Sequence, residues 1–248
     1  MKRDRILLAS CILLLTALAW IYLFRLDQQM SAAESMARMG MSIDTPWTVR
    51  DFTLTFAMWS IMMIGMMTPT ALPVLLLFMQ MRTGRGSSNS SQAAAMFAVG
   101  HITIWIAFSV AVALLQWGLH QAALLSPDMT VTRSWIAGVI LIGAGVYQLT
   151  PAKSRCLTSC QSPVGFLLAN WREGLKGAFQ LGIRHGSYCL GCCWALMLVL
   201  FVVGVMNLAW VALITAFIFL EKFGPTGARL ARVSGAAIIL AGIASIVR

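Results

Sequence analysis

Seven stretches of the chain are apolar for fifteen residues or more, and short polar or basic breaks separate them. They lie at 6–24, 52–79, 92–117, 135–150, 186–205, 208–222 and 233–247. A helix needs ~20 predominantly apolar residues to cross a bilayer, and a helix satisfies its own backbone polar groups where no water can. The pattern therefore predicts an all-α, polytopic helical membrane protein of about seven transmembrane helices, built as a single integral domain over 1–248. The breaks carry turn chemistry: Gly and Ser follow Arg82 through Ser91, Met206-Asn207 is a tight turn, and Gly224-Pro225 closes the sixth apolar run. The longest connection, 151–184, interleaves Phe166, Leu167, Trp171, Leu175 and Phe179 with Arg172 and Lys176. That mixture predicts an interfacial or re-entrant helix within a cytoplasmic loop.

Composition sharpens the class. Of 248 residues, 59% are hydrophobic and only 10% charged, where a soluble domain carries about 25% charged residues. The formal net charge of +10 is unevenly spread, with thirteen of the eighteen Lys and Arg in segments assigned to one side. This follows the positive-inside rule. It places the N-terminus in the cytoplasm and removes the need for a nucleic-acid partner. Ala17-Leu18-Ala19 has the small-residue form of a cleavage site, yet the apolar run continues through Trp20, Ile21, Leu23 and Phe24. An uncleaved anchor is the expectation, with residues 25–51 outside.

The candidate chemistry is sulfur. Cys189, Cys192 and Cys193 fall within five residues, with His185 before them and Met197 after. On a helix, residues three and four apart share a face. His185, Cys189, Cys193 and Met197 then form one row, with Cys192 beside His185. Imidazole, thiolate and thioether are the ligands that select copper(I), zinc or iron–sulfur centres. Upstream, Met62 and Met66 share one helix face, and Met63 and Met67 the next. Seven of the sixteen methionines lie between Met58 and Met81. Pro69 removes one backbone donor beside them, which predicts a kink. Cys156 and Cys160 follow Lys153 and Arg155, whose charges favour thiolate over thiol. The outer segment holds Met36, Met39 and Met41, a spacing that suits either copper(I) or the apolar face of an interfacial helix. Met and Cys also serve as ordinary core packing, and His101 reads as a histidine hydrogen-bonded to a neighbouring helix. Glu221, at the end of the sixth run, is expected to pair with Lys222 or Arg184. No carboxylate falls within a span core, which weighs against proton- or sodium-coupled transport.

Three blocks carry a resemblance: Trp59 to Pro69 with its paired methionines, Tyr147 to Pro163 with Cys156 and Cys160, and Gly182 to Met197 with Gly191-Cys192-Cys193-Trp194. In this order they resemble a bacterial family of metal-binding integral membrane proteins, over about Trp59 to Lys222. The resemblance implies metal binding at the bacterial inner membrane and a part in supplying copper to copper enzymes of the cell envelope. Residues and resemblance together give a copper(I) protein, chaperone- or transporter-like, with zinc as the other metal. Its metal ligands would come from Cys156, Cys160, His185, Cys189, Cys192, Cys193, Met62, Met63, Met66 and Met67. The competing reading is a membrane thiol–disulfide oxidoreductase using the Cys156/Cys160 and Cys189/Cys192 pairs.

Overall fold

Proline and capping residues at the polar breaks set several of the helix starts. The computed structural model describes residues 2–36, 48–87, 89–126 and 130–247. The described residues form nine α-helices and no strand: α1 (Lys2–Met36), α2 (Val49–Gly84), α3 (Ser90–Gln121), α4 (Ser134–Leu149), α5 (Pro151–Gln161), α6 (Pro163–Asn170), α7 (Gly174–Val203), α8 (Leu208–Phe223) and α9 (Gly227–Val247). At the start of α2, Asp51 Oδ2 accepts hydrogen bonds from the Thr48 backbone N–H and hydroxyl, each at 2.7 Å. This is one arm of a capping box. Pro151 and Pro163 open α5 and α6, where the missing N–H would be unpaired in any case. Proline keeps the residue before it out of the helical region. Thr150 is accordingly extended, at φ −73° and ψ 149°, and α4 and α5 meet at a 62° bend.

Five helices, α1, α2, α3, α7 and α9, are long and apolar enough to cross a membrane, and six spans result if the bent α4–α5 pair counts as one. The remaining expected span, α8, has 16 residues. That is about 24 Å at ~1.5 Å per residue, short of the ~30 Å hydrocarbon core. Other boundaries also move. α1 continues past Phe24 to Met36, and α7 begins at Gly174 rather than at 186. The expected 151–184 loop is thus mostly helical, and its aromatic segment divides between α6 and the first turns of α7. α2 runs through Pro69 and Pro73 as one helix. The outer methionine spacing at Met39 and Met41, with the Met36 side chain, lies outside the described residues.

Helix α7 is the axis. It packs on α3, α4, α5 and α8, while α2 lies against α1 and α3, and α4 pairs with α9. Glycine sets the closest approach. A Cβ on Gly182 would strike the Phe97 carbonyl oxygen, and one on Gly100 would strike the Phe179 carbonyl oxygen, so α3 and α7 meet backbone to backbone. Close glycine contacts of this kind are the usual way for apolar helices to associate. By contrast, only 17% of the apolar window of α1 and of α9 is buried, against 61% for α2. Their outward side chains, including Leu14 and Leu240, form apolar surface of the kind that faces lipid.

Gly182→Val should lower stability by about 1–3 kcal/mol or more through overpacking. Gly143→Ala, which meets nothing within 4 Å, should leave it near wild type. Thermal unfolding in detergent compares the two, and equal midpoints would remove the close-approach account.

Candidate metal centre

Two antiparallel helices carry most of the sulfur. Along the α2–α7 seam, the Trp59 and Phe201 rings stack at 5.5 Å. Deeper in, the Cys193 thiol reaches the Met67 sulfur at 4.0 Å, and the Thr70 hydroxyl lies 3.9 Å from Cys189 Sγ. Each step forward on α2 is matched by a step back on α7. Met62, Met63, Met66, Met67, Cys189, Cys192, Cys193 and Met197 all fall in one buried cluster. Their sequence spacing placed each set on a helix face, and the antiparallel pairing brings the two faces together.

Cys156 and Cys160 reach the same cluster through α5. Cys160 is buried within it and Cys156 packs at its edge. Cys160 shares that cluster with Cys189 and Cys192. Docking depends on Gly191: any Cβ there would sit 2.7 Å from Cys156 Sγ. The Gly191 carbonyl also accepts a hydrogen bond from the Tyr147 hydroxyl. The glycine between the thiols therefore leaves room for Cys156.

The thiols gather without converging on a point. Cys192 and Cys193 both donate to the Cys189 carbonyl, at 3.1 and 2.9 Å. This folds them back on their own helix turn. Cys189 Sγ in turn accepts from the Lys222 ammonium at 2.9 Å. Accordingly, among the described residues no group of three His, Cys, Asp or Glu side chains is disposed to hold one metal ion. All six cysteines are free thiols. His185 stands apart from the thiol row and faces His101 of α3, with the two Nδ1 atoms 3.2 Å apart. The reading of His101 as hydrogen-bonded to a neighbouring helix therefore holds, with His185 as its partner.

Charged residues frame the sulfurs, and here the sequence expectation needs correcting. Glu221 pairs with Lys153, at 2.7 and 2.8 Å to its two oxygens, and not with Lys222 or Arg184. Lys153 is only 1% exposed, and its ammonium also donates to the Gln148 side chain. It is therefore taken up by α8 and is not free to act on the loop thiols. The residue beside the sulfur is Lys222, which also donates to the Thr70 hydroxyl at 3.2 Å. An ammonium has no acceptor lone pair, so the sulfur and the hydroxyl must both accept. Lys222, Glu221, Thr70 and Gln148 were not among the candidate site residues. The available signal was an adjacent Glu-Lys at the end of an apolar run, two charges pointing to different faces of one helix.

These observations define a class: an all-helical protein with several membrane-length apolar helices around a buried cluster of thiols and thioethers. A family model described as PpoB2, copper chaperone, matches residues 56–245, which include every thiol and thioether named in that cluster. The chain belongs to this copper-chaperone family. No curated protein and no solved structure matches it.

Breaking the buried Lys153–Glu221 pair on one side should cost about 3–5 kcal/mol, because it strands a charge. Lys153→Met should therefore lower the unfolding midpoint strongly, and Lys153→Met/Glu221→Met should recover much of the loss. If the double variant is no better than the single one, the two charges are not coupled.

Proposed function

We propose that the protein binds copper(I) through the sulfur cluster between α2, α5 and α7 and hands it on at the bacterial inner membrane. The observation that carries this reading is the Cys193–Met67 contact at 4.0 Å, a thiol and a thioether meeting across two helices inside the core. A metal ~2.3 Å from each of two sulfurs that far apart would subtend an S–metal–S angle of about 120°. Such an ion needs one further soft neighbour, and Cys189, Cys192, Cys160 and Met63 are drawn from the same buried cluster. A third ligand requires the Cys192 or Cys189 thiol to turn from its present partner, a rotation about one side-chain bond. Thioethers favour copper(I) over zinc, which prefers four thiolate, imidazole or carboxylate ligands. The family match supports the same metal.

Lys222 gives the site a charge balance. Copper(I) held by two thiolates carries one net negative charge, and a buried charge must be paired. The Lys222 ammonium, already 2.9 Å from Cys189 Sγ, is the counter-ion at hand. Met58, Met62, Met66 and Met67 extend the sulfur along α2. From Met58 to Met67 the line covers about 14 Å at ~1.5 Å per residue. A column of that length suits movement of copper between sites in the membrane and delivery to a copper enzyme of the cell envelope. In this reading the bundle is multi-pass with a cytoplasmic N-terminus, the short α4 and α8 completing seven crossings. Thiol–disulfide exchange is the weaker alternative. Cys189 and Cys192 are 0% and 2% exposed, which leaves no approach for a partner thiol.

The test is copper content after anaerobic purification and loading with copper(I). Cys193→Ser and Met67→Leu should each weaken binding at least about tenfold, and Cys189→Ser/Cys192→Ser/Cys193→Ser should abolish sulfur coordination seen by X-ray absorption. Wild-type copper content and sulfur scattering in the triple variant would overturn the proposal. Lys222→Met should retain the fold yet weaken copper(I) binding, and unchanged affinity would remove the counter-ion role.

A further inference from the structure

A groove of about 560 Å³ opens between α5, α6 and the middle of α7, with Arg155 and Arg184 among its walls and Phe166 and Tyr188 in its floor. On α5, Arg155, Thr158, Ser159 and Ser162 follow one another at spacings of one, three and four. They share the face opposite the buried Lys153, Leu157 and Cys160. No carboxylate lines the groove. Arginine meets a carboxylate at Arg82–Glu173 and Arg85–Glu173, and among the described residues neither Arg155 nor Arg184 forms such a pair. The Thr158 and Ser159 hydroxyls donate to carbonyls of their own helix. The two guanidiniums, with the Ser162 and Tyr188 hydroxyls, are therefore the donors available to a ligand, and they call for an anion.

Depth says which anion. From Arg184 to the end of α7 at Val203 is about 28 Å at ~1.5 Å per residue, close to the ~30 Å hydrocarbon core of a bilayer. With Val203 at one boundary, Arg184 stands at the other, level with the lipid phosphates. Helix α6 runs beside the groove with Val164 and Leu168, four residues apart, turned outward as exposed apolar side chains. That is the pattern of a helix lying at the membrane interface. A free anion would need the guanidiniums but not this apolar rim. We propose that the groove binds the phosphate headgroup of an anionic phospholipid, whose acyl chains lie over Val164 and Leu168. Guanidinium matches phosphate with two parallel N–H bonds, and basic pockets between membrane helices suit such headgroups. Because Tyr188 and Phe166 touch ring to ring at 6.0 Å and Tyr188 adjoins Cys189, the lipid would hold α5 and α6 against the helix that carries the thiols. The proposal rests on α7 crossing the membrane and not on the copper reading.

The full chain in detergent, titrated with phosphatidylglycerol or phosphatidylcholine and followed by native mass spectrometry and thermal unfolding, tests it. Wild-type protein should bind phosphatidylglycerol at least about tenfold more tightly, as two arginines at the membrane surface imply, and its unfolding midpoint should rise with that lipid. Arg155→Gln/Arg184→Gln should remove most of the preference. Arg229→Gln/Arg232→Gln, the same charge change on the exposed start of α9, should keep it. A wild type without the preference would overturn the proposal, whether or not the variants fold. So would equal losses in the two double variants, which would assign the preference to net charge. Inorganic phosphate alone should leave the midpoint unchanged; a rise matching that with phosphatidylglycerol would make this a free-anion site and end the lipid assignment. Copper plays no part in the assay, and recovery in the membrane fraction checks the crossing separately, so each failure can be told from the others.

Discussion

Two consecutive residues of α8 hold the sulfur cluster in place. Glu221 reaches across to Lys153 of α5, and Lys222 reaches Cys189 of α7 and Thr70 of α2. Successive residues on a helix point about 100° apart, so one dipeptide can serve two directions at once. None of these charges has water to fall back on, and each must be met by a partner in a fixed place. That requirement brings α2, α5, α7 and α8 together around one interior. The thiols of α5 and α7 share that core, where Gly191 leaves room for Cys156.

The interior so framed is soft and internally satisfied. Cys192 and Cys193 spend their protons on the Cys189 carbonyl, and the methionines of α2 supply polarizable filling with no hydrogen-bond demand. On the reading proposed above, copper(I) captures these side chains by small rotations. The copper-chaperone family to which the chain belongs handles a cargo that must be taken up and released, and a partly prepared site fits that need better than a rigid cage. The adjoining His101–His185 pair is shared between α3 and α7.

Much of this could be read from the chain alone, for local reasons. Hydropathy exposed the apolar helices because the period and length of such runs need no tertiary information. The paired methionines and the three clustered thiols were legible because spacing of three and four residues places side chains on one helix face wherever that helix docks. The Thr150-Pro151 break could likewise be seen, since proline restricts the residue before it in any context.

What the tertiary structure alone decided was which faces meet. The partners of Lys153 and His101 lie 68 and 84 residues away, and no local pattern encodes a contact over such a distance. The sequence placed Lys153 beside the loop thiols, while the fold gave it to Glu221 because a buried carboxylate is the stronger claim on an ammonium. It placed His185 with the cysteines, while the close approach of α3 and α7 turned it toward His101. Helix, apolarity and ligand type are properties of short segments and were determined by the chain. Convergence of sulfur, charge and imidazole is a property of packing, and only the assembled bundle fixes it.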